Sequence, residues 1–153
     1  WADGVSTYTP PGHWNRIAAD LILADQMNPL RTARCFAYLN MSIMDAGVSC
    51  WDTKYFYHYP RPSQLLPAYR SVLGLPNFPS YTSGHSTFSS AAATVLGHLF
   101  PDKAAELEKM AVEASESRIY GGIHFRFDCE VGLQVGKVIA AYSVAVAKVD
   151  GGE

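Results

Sequence analysis

The chain has 153 residues, 48% of them hydrophobic and 17% charged, with a formal net charge of -2. That length and balance suit one globular domain with a full core. The absence of a basic stripe or a block of like charge excludes nucleic acid as a main partner. The longest nearly apolar run, "VIAAYSVAVA" from Val138, falls short of the ~20 residues a bilayer crossing needs, so no membrane span is expected.

Apolar residues at Trp14, Ile17, Ala18, Leu21 and Ile22 predict a first helix from His13 to Gln26. A second starts after Asn28-Pro29 and runs to about Tyr55, with an apolar face of Leu30, Ala33, Ala37, Met41, Met44, Val48, Trp51 and Tyr55. Between Tyr57 and Thr82 the periodicity stops, and Pro60, Pro62, Pro67, Pro76 and Pro79 break any long helix. Irregular stretches of that length in compact domains are usually functional. A third helix follows Ser83 and ends near Phe100; a fourth begins at Pro101 and runs to about Tyr120. After Gly121-Gly122 comes a last helix with apolar positions at Val131, Val135, Val138, Ile139, Tyr142 and Val146. The expected class is all-α, a bundle of about five helices. Trp14, Met27, Met41 and Met44 read as core packing. Cys35, Cys50 and Cys129 fit no zinc spacing and read as buried free thiols.

Three stretches at helix ends carry chemistry. "KYFYHYPRP" supplies Lys54 and Arg61, with His58 between them as a candidate for the pocket wall. "SGHS" opens the third helix, where Ser83 as cap and Gly84 beside it present backbone N–H groups that attract anions. "SRIYGGIHFRFD" supplies Arg118, His124 and Asp128. If the chain is helical from His124, Asp128 shares its face at i, i+4 and orients the imidazole. Two arginines, a lysine, a helix N-terminus and two histidines together suit a multiply charged tetrahedral oxyanion. Asp20, Asp25 and Asp45 are further candidates to pair with a pocket cation, and Tyr120 and Arg126 to line the entrance.

In order, K-x6-R-P (Lys54, Arg61, Pro62), S-G-H (Ser83 to His85) and S-R-x5-H-x3-D (Ser117, Arg118, His124, Asp128) resemble the three-part signature of one superfamily. It joins type 2 phosphatidic acid phosphatases (PAP2), bacterial class A acid phosphatases and vanadium-dependent haloperoxidases. The resemblance covers roughly Pro11 to Ala147. It implies an all-α core of the acid phosphatase/vanadium haloperoxidase kind, whose helix ends hold the oxyanion. "FPSYTSGHSTFS" and "DAGVSCWDTKY" resemble the haloperoxidase branch more closely. Trp51 and Phe78 stand where chloroperoxidase-like members carry aromatic residues beside the cofactor. Thr82 departs from the Pro that many of them have before S-G-H. Family enzymes are usually longer, so residues 1–153 are expected to be a single domain from the C-terminal part of a longer protein.

The resemblance implies two mechanisms for one pocket. As a haloperoxidase, His124 ligates vanadate, while Lys54, Arg61, Ser83, Gly84 and Arg118 bind its oxygens. Hydrogen peroxide then binds, Lys54 polarises it, His85 moves protons, and halide attacks. As an acid phosphatase acting on phosphate esters, His124 forms a phosphohistidine, Asp128 holds its ring, and His85 protonates the leaving alcohol without any cofactor. A third possibility is an oxyanion-binding fragment without turnover. The first mechanism is the expectation.

Overall fold

The computed structural model describes residues 1–152 except Asp3, Val5 and Pro67, so the break read at Pro67 lies outside the described residues. The described residues are all-helical: α1 (Pro10–Ala24), α2 (Pro29–Tyr57), α3 (Pro62–Leu65), α4 (Gly84–Leu99), α5 (Ala104–Tyr120) and α6 (Arg126–Ala147), with a 3-10 turn at Pro101–Lys103. Five are the expected long helices, and α3 is one further turn.

Local chemistry explains the boundaries. Proline occupies the first turn of α1, α2 and α3, where its missing N–H leaves no hydrogen bond unmade. Pro10 therefore starts α1 ahead of His13, which lies inside the helix rather than before it. The Asn28 side chain caps α2 by accepting from Arg31 N at 2.9 Å, and left-handed His58 (φ 47) ends it. Pro101 makes the 3-10 turn, so α5 proper begins at Ala104. At the junction to α6, Gly122 takes φ +75, a backbone shape that suits glycine.

Helix α4 is the central element, packed against α2, α5 and α6. One core joins Trp14, Ala18 and Ile22 of α1 to Leu39 and Ile43 of α2, Leu96 of α4 and Leu107 of α5. The seam between α4 and α6 is built from small residues. A Cβ on Gly132 would lie 2.8 Å from Ser86 Cβ, and one on Gly136 would meet Thr87 O and lie 2.9 Å from Ala91 N. Only glycine lets the backbones approach this closely, and the approach sets the first turns of α4 and α6 side by side.

Burial corrects the expected helix faces. On α2 the buried stripe is Cys35, Tyr38, Leu39, Ser42, Ile43, Ala46, Cys50 and Lys54. Leu30, Ala33, Ala37, Met41, Met44, Val48 and Tyr55 face outward, so Met41 and Met44 are not core residues. Met27 does pack against the core, and Trp14 is fully buried. On α6 the buried stripe is Gly132, Gly136, Ala140, Ser143 and Ala147, while Val138, Tyr142 and Val146 are exposed. Both helices carry two apolar stripes, and on α6 the tight seam with α4 takes the one with the smaller side chains. By length and composition alone, the 22-residue α6 is apolar enough to cross a membrane, which the shorter run from Val138 did not suggest. Here its inner stripe packs on α4. All three cysteines are buried and free, as expected.

Candidate active site

Close packing of α4 on α6 brings the second and third motifs together: Ser83 N donates to Asp128 O at 3.0 Å. The Ser83 side chain caps α4 by accepting from Ser86 N at 3.3 Å. Gly84 begins the helix with Trp51 directly above it; a Cβ there would lie 3.3 Å from the indole. A side chain at this position would crowd the indole, which would have to give by a few tenths of an ångström.

His124 lies just before α6 rather than in it, because Phe125 is the N-cap. The pairing with Asp128 survives through the cap geometry. Asp128 turns back from the first turn of α6, and its Oδ2 accepts from Phe125 N at 3.1 Å and from His124 Nδ1 at 2.9 Å. A carboxylate accepts only, so it fixes the ring proton on Nδ1 and makes Nε2 a hydrogen-bond acceptor. Nε2 lies 3.1 Å from Arg61 Nη1.

The cations are set by the loop after α2. Arg61 is buried, and its guanidinium donates to the carbonyls of Ile123 (2.7 Å), Phe78 and Pro79. Lys54 is fully buried and donates to the carbonyls of Pro79 (2.8 Å), Ser80 (2.9 Å) and Thr82. Arg118 donates to Ser117 Oγ at 3.0 Å and to the carbonyl of Trp1.

A cavity of about 530 Å³ opens beside this cluster. Arg61, Gly84, His85, Arg118 and His124 line it, and Trp51 and Phe78 are in its wall. Lys54 and Ser83 lie behind the lining, committed to the backbone. His58 does not line the cavity: it is exposed at the end of α2, with its ring against Tyr55. Nor do the other aspartates face the cations. Asp20 pairs with Arg16 on the surface, Asp25 ends α1, and Asp45 is exposed. Tyr120 and Arg126 are exposed and outside the cavity wall.

Burial dominates the electrostatics. It pushes His124 down to about 4 against the opposing hydrogen bond from Asp128, and His85 down to about 3 with the help of the Arg118 charge. Both rings are therefore neutral near pH 7. Burial also lowers Lys54 to about 8 and Arg61 to about 10, with Asp128 opposing each shift.

Sequence reasoning missed Ser80. Its hydroxyl donates to Asp128 Oδ2 at 2.5 Å and lies 3.4 Å from His124 Nδ1, while its carbonyl accepts from Lys54. Ser80 thus links the lysine, the carboxylate and the imidazole. It sits three residues before the S-G-H motif in a stretch without periodicity, where only its place in "FPSYTSGH" marks it.

Buried cations, a neutral histidine whose outer nitrogen presents its lone pair to one of them, and a helix start beside one cavity are the parts of an oxyanion-handling enzyme. Residues 34–150 match the PAP2 superfamily, and the chain belongs to it. The chain is 35% identical over 142 residues to a non-specific acid phosphatase of Salmonella typhimurium, covering 84% of this chain and 56% of that protein. It is 34% identical over 95 residues to a vanadium-dependent bromoperoxidase of Ascophyllum nodosum, covering 43% of this chain and 17% of that one. Among solved structures, a bacterial vanadium-dependent iodoperoxidase superposes with a TM-score of 0.85 at 31% identity, covering 92% of this chain and 40% of that one. LpxE of Aquifex aeolicus superposes at 0.68 with 27% identity, covering 88% and 83%. The matched members include both phosphatases and haloperoxidases, all enzymes, and the chain spans just over half the length of the S. typhimurium phosphatase.

Proposed function

We propose that this chain carries the catalytic core of a vanadate-dependent haloperoxidase that oxidises halide with hydrogen peroxide. The observation that carries the reading is the His124 ring, buried and neutral, with Nδ1 held by Asp128 and the Nε2 lone pair turned to the cations, where it accepts from Arg61 Nη1. Those residues would suit vanadate: Nε2 as the nitrogen ligand in exchange for its Arg61 contact, with the charges of Arg61 and Arg118 and the Gly84 backbone, all in the cavity lining, around its oxygens. When bound, vanadate supplies a Lewis acid that activates peroxide.

The chain's own groups do the rest. Asp128 keeps the proton on His124 Nδ1, and Ser80 fixes the carboxylate. His85, whose ring lines the cavity, is the group placed to pass a proton between bound peroxide and solvent. Lys54 is a positioning residue that holds the loop 79–82 by its carbonyls and supplies charge from beneath. The fit to the iodoperoxidase over 92% of the chain supports this choice.

A specific observation favours a second reading, phosphomonoester hydrolysis through a phosphohistidine at His124. The acid phosphatase match extends over 84% of the chain. In that reading His85 must be protonated to serve the leaving alcohol, so activity rises toward acid pH. The deciding experiment is iodide and bromide oxidation by phosphate-free protein given orthovanadate and peroxide. Vanadate-dependent turnover that disappears in His124→Ala is expected. Ester hydrolysis with a phosphohistidine trapped at His124, and no halide oxidation, would replace the first reading with the second.

A further inference from the structure

The cavity is much larger than an inorganic oxyanion requires. At about 30 Å³ per water-sized oxygen, a tetrahedral anion fills on the order of 120 Å³, less than half of the 530 Å³ present. Sites of that size are characteristic of organic ligands. Its lining is of two kinds: Arg61, Arg118, His85 and His124 are polar, whereas Trp51, Phe78, Phe88, Leu73 and Pro76 are apolar. The two kinds meet where the Arg61 guanidinium lies 5.3 Å from the centre of the Phe78 ring.

The wall is fixed rather than adaptable. Trp51 packs on Phe78 (centroids 5.2 Å apart, 48°) and on Phe88 (5.9 Å, 37°), and its indole rests on Gly84. Gly47 gives Phe88 its place, since a Cβ there would lie 2.9 Å from that ring. All three aromatic residues are only partly buried, so ring surface remains available to a ligand.

Resting on the oxyanion reading of the polar lining, we infer that the apolar wall is a subsite for an aromatic ring of an organic substrate. Flat rings are favoured there by stacking and edge-to-face contact with Trp51, Phe78 and Phe88, beyond what apolar burial alone gives. In the haloperoxidase reading the ring is that of the acceptor. Hypohalous acid, made from halide and hydrogen peroxide, then gives its halogen to a carbon of the bound ring; the O–X bond breaks, the ring loses a proton and water leaves.

Binding of non-hydrolysable phosphonates tests this without requiring turnover. Calorimetry on the full chain, with phenyl-, cyclohexyl- and methylphosphonate and inorganic phosphate, is the measurement. Phenylphosphonate is expected to bind at least tenfold more tightly than methylphosphonate and severalfold more tightly than cyclohexylphosphonate. The phenyl advantage should shrink to nearly nothing in Trp51→Leu, and in Phe88→Leu if the indole proves necessary for folding. Equal affinities for phenyl- and methylphosphonate, with phosphate bound, would overturn the subsite alone. Cyclohexyl binding as tight as phenyl would overturn its preference for aromatic rings. Failure of all four ligands, phosphate included, would sink the oxyanion reading and the subsite with it.

Discussion

Two aspartates flank helix α6, and they are held in opposite ways. Asp128, in its first turn, is fully buried, yet only uncharged donors bond it: Ser80 Oγ, Phe125 N and the neutral His124 ring all converge on Oδ2. Its Oδ1 has no hydrogen-bond partner among the described residues. Asp150, just past the last turn, meets Arg34 through both oxygens, and Tyr38 OH at 2.6 Å and Gly152 N at 2.9 Å complete its shell. Those bonds hold its carboxyl well below the usual carboxylate range. The pair of ends teaches a division of labour. A carboxylate saturated by a cation fastens the chain, whereas one without a direct cation is spent on orienting a ring and fixing its tautomer.

The sharpest way to break this comparison is Asp128→Asn. The amide preserves shape but no longer commands the ring proton, and the expected loss of turnover is about 10³–10⁴-fold, as in other histidine–carboxylate pairs. Steady-state kinetics check it, with circular dichroism confirming the fold; near-normal turnover would mean that the two aspartates do the same job. Gly136→Ala attacks the seam that joins the ends. Its new methyl meets α4 backbone, and overpacking of this kind costs about 1–3 kcal/mol, measurable by urea denaturation. Oxyanion affinity should fall too, because Ser83 N and Asp128 O are brought together by that seam.

Ser80→Ala removes one donor from Asp128 and should cost about 10–100-fold in activity. Ser80→Thr keeps the hydroxyl and should recover part of it; equal losses in both would point to packing instead. Acid then separates the ends in time. Because His85 and His124 are depressed from 6.5, the unfolded chain binds protons first as pH falls. Stability therefore declines from about pH 6.5 toward 4, with a slope approaching two protons. Asp150 is depressed from 3.8, so its contribution persists above that value and is lost only as pH falls below it. Denaturation midpoints across this range should show the two losses in that order. The smallest effect is Asp150→Asn, expected to lower Tm by a few degrees while leaving turnover intact.

Legibility in the sequence followed how local each cause is. Helix ends marked by Asn28-Pro29, by Ser83 and by the Gly121-Gly122 break could be read directly, since caps and glycine turns act within a few residues. The three motifs that surround the cavity were readable as wording, and the fold brings Arg61, Gly84, His85, Arg118 and His124 to one wall. Faces were less readable. Met41, Met44, Val138 and Tyr142 looked like core by size, but on α6 the close spacing to α4 set by Gly132 and Gly136 buries Ala140 and Ser143 instead, and on α2 the buried face is the one with Leu39, Ile43 and Ala46. Ser80 and the inward turn of Lys54 depend on the path of an aperiodic loop, which pattern alone does not describe.

That inward turn has one more consequence. An ammonium carries three hydrogens, and the carbonyls of Pro79, Ser80 and Thr82 take one each. Any anion that touches Lys54 must therefore displace a strand of loop from it. Because Lys54 lies behind the lining, an anion in the cavity meets its charge and not its hydrogens. Loop and anion thus share one ammonium without contest: the carbonyls take its bonds and the cavity takes its field.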